Sequence, residues 1–380
     1  MKIIHVCNTV SPLIGGGTAE RFLQLHKFCN KLPNVCSKIL TLDIDLEHKQ
    51  LKKYNSHCFL KIPCFYKRFF IPSIFTSWLK IYRELKSADI VHIIGHWNIL
   101  NIIIAVILFS QKKPYVVTPA GALKIFGRSI FFKKIYNILF GYFIIRNASG
   151  LIAVTEKEIE DFKAYKIQKA RIKIIPNGVD IRDFQPSRIN KTIHKYAIPS
   201  KHLILFMGRL NFIKGPDILL RAFVLICNKL KKYHLVFVGV DEGMLPILKK
   251  ITIDNALGGR VHFLGHIIGQ DKVNIYYASD ILVVPSRTEA MSIVALEAGV
   301  SGIPALLTDQ CGFKSIKLID RHLEALCQER SIAKNLLHLL TNNTKRKIIG
   351  RNFNKYVSKH FLWEHIAAMH IQFYEKQIKV

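Results

Sequence analysis

An α/β chain of two doubly wound, parallel-sheet domains is what this sequence predicts, and three observations carry the prediction. Apolar bursts of five or six residues alternate with longer helical patterns along the whole chain, as strands buried on both faces between crossover helices do. A length of 380 residues exceeds what one hydrophobic core usually supports, so two domains are expected. Half the residues are apolar and only 22% are charged, which provides for two sizeable cores and excludes a disordered chain.

The first burst, Lys2–Cys7, follows one positive charge and gives way at once to polar Asn8 and Thr9, so it reads as a β-strand rather than a secretory leader. Further strands are expected at Ser37–Leu42, Ile90–Ile94, Tyr115–Thr118 and Gly150–Val154. Helical patterns lie between them at Ala19–Lys31, Ile74–Lys86, Asn98–Phe109, Ile130–Asn147 and Glu156–Ala164. The longest apolar run, Ile99–Phe109, falls well short of the roughly 20 residues that cross a bilayer and predicts a buried helix. In the second half, strands recur at Leu203–Met207, Leu235–Val238, Val261–Leu264, Ile281–Val284 and Ala305–Leu307. The expected domains are 1–185 and 186–350. A linker is expected around Gln185–Lys201, where Pro186, Ser187, Pro199 and Ser200 flank a polar stretch. Residues 351–380 read as one or two amphipathic helices free to pack back across the first domain. No fixed short period runs through the chain, which argues against a solenoid.

The net charge of +30 predicts attraction to something polyanionic, with nucleic acid, anionic lipid and nucleotide phosphates all qualifying. No acidic residue occurs between Asp89 and Glu156, a stretch in which Lys112, Lys113, Lys124, Arg128, Lys133, Lys134 and Arg146 interleave with large apolar residues. That pattern is either a solvated basic face beside a core or a face for an anionic membrane. No helix-turn-helix, RNP or zinc-finger pattern supports a nucleic-acid partner, and none is expected. The eight cysteines form no CxxC pair and have no histidine at zinc spacing, so they read as reduced thiols of a cytoplasmic protein. The basic stretch would allow that protein a peripheral place on the inner face of the cell membrane.

In doubly wound sheets ligands gather beyond the carboxyl ends of strands, and three such turns stand out. Gly15-Gly16-Gly17 leads into a helix whose first N–H groups could meet a phosphate or sugar oxygen, although a tight turn needs glycine as well. Phe206-Met207-Gly208-Arg209-Leu210 is followed by Lys214-Gly215, placing two cations on one loop, able to neutralise a diphosphate leaving group. The third is the run Pro285–Glu297. There Glu289 precedes a helix starting near Ser292, the N–H groups of Met291, Ser292 and Ile293 would face a ligand, and Glu297 is placed to hold a vicinal diol. Charge capping and a surface carboxylate are the plain alternative.

The run SRTEAMSIVALEA resembles the E-x7-E motif of retaining glycosyltransferase family 4. IIPNGVD (174–180), FMGRLNFIKGPDILLRAF (206–223) and VHFLGHIIGQDKVNIYYASDILVVPS (261–286) resemble that family's inter-domain segment, phosphate loop and nucleotide-side strands. VHIIGHWN (91–98) and VTPAGAL (117–123) resemble its first-domain loops. The resemblance implies a GT-B fold of two facing Rossmann-like domains with the active site in the cleft. Domain 1–185 would bind acceptor and 186–350 the nucleotide sugar. It implies a retaining, metal-independent hexosyltransferase with no cofactor, moving sugar to a glycan or lipid-linked acceptor, as in bacterial lipopolysaccharide, O-antigen or capsule synthesis. Arg209 and Lys214 would bind the donor diphosphate, Glu289 the transferred sugar, Glu297 the ribose, and Gly16 and Gly17 would approach the phosphate.

Two departures qualify that expectation. Many relatives carry His or Arg in the loop matching Thr118-Pro119-Ala120-Gly121, where this chain has Ala120; His92, His96 and Gly121 are the acceptor-side candidates, the histidines being equally readable as satisfied core residues. After Cys311-Gly312-Phe313 the chain runs through Lys314-Ser315-Ile316-Lys317 almost directly to a helical pattern, where relatives place a loop and strand. A nucleotide-sugar epimerase of the same fold, or a weakened binding descendant, are the alternatives. Asp43-Ile44-Asp45 spells the DxD of metal-dependent transferases, but its place early in the first domain predicts no metal role.

Overall fold

The computed structural model describes residues 1–11, 14–48, 51–52, 54–73, 75, 78–126, 129–198 and 202–379. Ile74, Arg128, Pro199, Ser200 and Lys201, which enter the expectations above, lie outside the described residues. The chain forms two units, Met1–Asn177 with Trp363–Val380, and Gly178–Leu362.

The first unit holds β1 (Lys2–Cys7), β2 (Cys36–Leu42), β3 (Phe59–Ile62), β4 (Cys64–Tyr66), β5 (Ile71–Pro72), β6 (Ile90–Ile94), β7 (Tyr115–Thr118), β8 (Gly150–Ala153) and β9 (Ile172–Ile174). Seven of these pair in the order β3-β2-β1-β6-β7-β8-β9, all parallel, while β4 and β5 make a separate antiparallel pair. Its helices are α1 (Gly16–Cys29), α2 (Trp78–Ser87), α3 (Ile99–Ser110), α4 (Ile130–Tyr136), α5 (Tyr142–Arg146) and α6 (Glu156–Lys163). Side chains alternate across the sheet, so each strand feeds two cores. Ile4 and Val6 of β1 join Ile104 and Leu108 of α3, whereas Ile3 and Cys7 join Phe22 and Leu25 of α1. The helix expected over Ile130–Asn147 is present to Arg146, passing without a gap through a π-helical turn at Asn137–Gly141.

The second unit holds β10 (Leu203–Met207), β11 (His234–Val238), β12 (Val261–Phe263), β13 (Ile281–Val284), β14 (Ala305–Thr308) and β15 (Glu324–Ala325), in the order β12-β11-β10-β13-β14-β15. Its helices are α7 (Ile189–Lys195), α8 (Pro216–Ile226), α9 (Leu245–Asp254), α10 (Gly269–Ala278), α11 (Ile293–Val300), α12 (Glu329–Thr341) and α13 (Asn343–His360). Leu203, Leu205, Leu235, Val236, Ile281 and Leu282 are wholly buried, as central parallel strands demand. The chain then returns to the first unit as α14 (Trp363–Ile378), whose Trp363, Ile366 and Tyr374 pack against Phe22 and Phe28 of α1.

Three expectations need correction. The domain limits fall at Asn177/Gly178 rather than at 185, because Val179 bridges Leu362, the Phe184 ring packs on Tyr276, and Tyr277 donates to the Phe184 carbonyl at 3.0 Å, and at Leu362 rather than at 350, so of residues 351–380 only those from Trp363 on return to the first unit. The polar linker contains α7, fixed by the Asp271 carboxylate, which accepts from Thr192, Lys195 and Tyr196. Beyond Phe313 the chain passes through short 3-10 helices at Lys314–Leu318 and Arg321–Leu323 and then forms a strand before the next α-helix: β15 pairs in parallel with β14, Leu307 opposite Glu324 and Thr308 opposite Ala325. Two residues are too short a run for periodicity to reveal.

Candidate functional site

In the second sheet the strand order reverses between β10 and β13, so the crevice outside their carboxyl ends is where a ligand is expected. The loop after β10 carries Arg209 and Lys214; the loop after β13 carries Glu289. Gly215, at φ 65°, brings the first loop so near the second that a Cβ there would stand 2.2 Å from the Pro285 carbonyl oxygen. Arg287 clamps the two together with a bidentate pair to Asp217 at 2.9 and 2.6 Å and a third bond to the Phe212 carbonyl at 2.7 Å. Paired planar forks of this kind fix geometry as well as contributing energy.

Within that frame Lys214 Nζ donates to the Glu289 carboxylate. The Glu289 backbone is held by Gly312 N–H donating to its carbonyl at 3.0 Å and by its own N–H donating to Gln310. The Cys311 thiol beside it is pushed up to about 12 by burial and by the nearby carboxylate, so it stays protonated and inert. Arg209, half exposed, pairs with Glu242 at 2.9 Å, and the other Glu242 oxygen accepts from Asn211 at 2.7 Å. Asn211 in turn accepts the Lys214 N–H at 2.9 Å, so Glu242 braces the loop that carries both cations.

Ser292 caps α11 in extended conformation, with its hydroxyl oxygen buried and without a hydrogen-bond partner among the described residues. Met291 and Ser292 are buried at this helix start, and Ile293 opens the helix. Glu297 lies inside α11, 4% exposed, with one oxygen held by Lys272 at 2.6 Å and the other by the Tyr276 hydroxyl at 2.7 Å. That double engagement orients the carboxylate and compensates its burial.

In the first unit Gly16 opens α1 at φ 56° with Gly17 following. His92 and His96 are interior. His92 Nε2 bonds Thr118 Oγ1 and its Nδ1 bonds the Tyr374 hydroxyl, both at 2.7 Å, leaving neither nitrogen for an acceptor. His96 Nε2 lies 3.1 Å from Asn137 Oδ1. Burial holds His96 down to about 4 and His92 well below the ordinary histidine value, so both are neutral. Both rings are interior; His92 is satisfied at both nitrogens, whereas His96 Nδ1 has no hydrogen-bond partner among the described residues. Gly121 stands in a left-handed turn at the end of β7. The DxD carboxylates are engaged locally, Asp45 accepting from Ser11 Oγ and Asp43 from the Cys64 N–H, each at 2.6 Å.

Residues 189–356 match the family described as glycosyl transferases group 1, and residues 39–183 match glycosyltransferase family 4. The chain is thus built of a family 4 and a group 1 glycosyltransferase domain. The similarity extends to a D-inositol 3-phosphate glycosyltransferase of Corynebacterium jeikeium, 28% identical over 61% of this chain and 58% of that protein. An uncharacterized glycosyltransferase of Methanocaldococcus jannaschii is 26% identical over 88% of this chain and 87% of its own length. The match thus spans less than two thirds of the Corynebacterium relative. Among solved structures, Anabaena HepE in complex with UDP and glucose has a TM-score of 0.78 at 17% identity, covering 99% of this chain and 100% of that one. The fold is therefore the GT-B one.

Every cation and carboxylate on the two switch-point loops of this glycosyltransferase was legible in the sequence except the pair that joins them. Arg287 lay inside the quoted motif, but nothing local tied it to Asp217. Glu242 and Lys272 come from other loops and helices, and Tyr276 from α10; a carboxylate just past the end of β11, facing the same crevice, was the one available signal.

Proposed function

We propose that the chain transfers a hexosyl group from a nucleotide-sugar donor to a glycan or glycolipid acceptor with retention at the anomeric carbon and without metal. The observation that carries this reading is the Lys214–Glu289 contact at the switch point of the second sheet, with Arg209 on the same loop. Two fixed cations neutralise a diphosphate as its bond to the sugar breaks, and a carboxylate next to one of them takes hydrogen bonds from sugar hydroxyls. The leaving phosphate then serves as base toward the acceptor hydroxyl, so no protein nucleophile is required. Glu297, oriented by Lys272 and Tyr276, has the geometry for a ribose diol. The UDP and glucose held by Anabaena HepE support a nucleotide-sugar donor.

The acceptor side of the reading is surface polysaccharide or lipid-linked oligosaccharide assembled at the cytoplasmic face of a membrane. No described helix is long and apolar enough to cross one. Support comes from the acid-free segment: Phe131, Phe132 and Ile138 are 69%, 71% and 72% exposed beside Lys133 and Lys134, a basic and aromatic surface suited to an anionic interface.

Transfer assays with a panel of UDP-, GDP- and ADP-sugars in EDTA test the enzyme; complete dependence on added metal would sink the mechanism. Vesicle sedimentation at low salt tests the membrane: pelleting with anionic but not with neutral lipid is expected, and equal partition would refute it.

A further inference from the structure

The backbone at the end of β7 takes an unfavourable course. Ala122 N–H closes on the Pro119 carbonyl at 3.2 Å, and the two residues inside that turn, Ala120 at φ 52° and Gly121 at φ 83°, are both left-handed. Asparagine or glycine suits the first of these positions; alanine pays about 1 kcal/mol or more there. Such a turn persists only where its surroundings impose it, and an imposed turn at a strand's carboxyl end points to a use.

Both ends of the turn are gripped from within. At Thr118 the hydroxyl bonds His92, which bonds Tyr374, whose hydroxyl lies 3.1 Å from His370 Nδ1. At Gly121 the N–H donates to Glu158 Oε1, while the other Glu158 oxygen accepts the Val154 N–H at 2.7 Å. Glu158 is 3% exposed and Arg21, on α1, is 2% exposed. Burial raises the Glu158 pKa, and the buried Arg21 guanidinium, whose nitrogens have no hydrogen-bond partner among the described residues, opposes that shift electrostatically.

We propose that Glu158 is a positioning residue of the transfer reaction, its carboxylate fixing the left-handed Ala120–Gly121 turn, with Arg21 as its buried countercharge. The inference rests on the transferase reading. A side chain on α6 thereby sets the backbone of a loop in which this chain has no His or Arg to offer, so the turn presents peptide groups to a substrate in place of a side chain. The groups that face the pair are Asp161 on α6, His92 on β6, and His370 and Tyr374 on α14.

The test has two readouts. In the free wild-type chain, hydrogen exchange at the Gly121 amide is slowed at least a hundredfold relative to an unstructured peptide. In Glu158→Gln, with the donor and acceptor that wild type accepts, kcat falls at least tenfold while donor KM stays within twofold. Arg21→Met raises the ratio of turnover at pH 8.5 to that at pH 6.5 at least threefold over wild type, because a carboxylate without its countercharge must be deprotonated by higher pH; a loss of stability alone would not move that ratio. A wild-type chain that transfers nothing defeats the transferase reading, and the positioning role falls with it even if Gly121 is protected. A fast-exchanging Gly121 amide, or Glu158→Gln with unchanged kcat, overturns the positioning role alone; should Glu158→Gln not fold, the Gly121 exchange and the Arg21→Met profile decide it.

Discussion

Lys214 Nζ and the Glu289 carboxylate are in direct contact, although 75 residues separate them and each stands on the loop after a different central strand. In the proposed reaction an arriving diphosphate would take over the lysine and free the carboxylate for the sugar, so the two would act on one event. Lys214→Ala and Glu289→Ala should each lower turnover by about 10²–10³-fold, the usual cost of one preorganised charge. The double variant should fall little below the worse single one, since groups acting as a unit are not additive. Circular dichroism should show the fold retained; full turnover in Glu289→Ala would refute the site.

Arg209 is already paired with Glu242, both substantially exposed. In the proposed reaction a donor phosphate would displace that carboxylate, and an exposed pair resists only weakly. Glu242→Gln should therefore tighten donor binding by about two- to fivefold at low salt, with the gain shrinking as salt rises. Weaker binding in this variant would mean that bracing of Asn211 outweighs the competition for Arg209.

How much of this was legible beforehand follows from burial. β1, β6, β7, β10 and β13 lie at the positions expected, because central parallel strands are unbroken apolar runs ended by Gly, Pro or polar residues. β3, β9 and β15 sit toward sheet edges, are short and partly exposed, and carry no such run. α7 is polar and exists by virtue of Asp271, a tertiary contact no local pattern contains. Lys214 and Glu289 were legible as residue types on strand-end loops, whereas the Arg287–Asp217 clamp and Glu242 needed the three-dimensional path of the chain.

The close approach of the two loops depends on Gly215. Gly215→Ala would place a Cβ 2.2 Å from the Pro285 carbonyl oxygen, at a left-handed φ of 65°. Overpacking and backbone strain together should cost about 2–4 kcal/mol in urea unfolding. A change below about 0.5 kcal/mol would show that the loops are not held in register as described.

Acid should loosen the first unit. Burial holds His5 down to about 3 and His96 to about 4, and drives His92 and His370 well below the ordinary value. Unfolded, these rings take a proton near pH 6.5, so below that pH the unfolded state binds more protons and stability declines toward the folded-state values. Each ring contributes up to about 1.4 kcal/mol per pH unit through that window. Glu158, raised by burial, acts in the opposite sense and offsets part of the loss. Urea midpoints should fall steeply from pH 7 to pH 5; equal midpoints would contradict neutral, buried histidines.

The donor site itself is tested most directly by calorimetric titration of the wild-type and Lys214→Ala chains with UDP, GDP and ADP in EDTA. One diphosphate should bind wild type and lose at least tenfold in affinity on Lys214→Ala. Binding of none of the three, or equal binding to both chains, would contradict a diphosphate site built on Lys214.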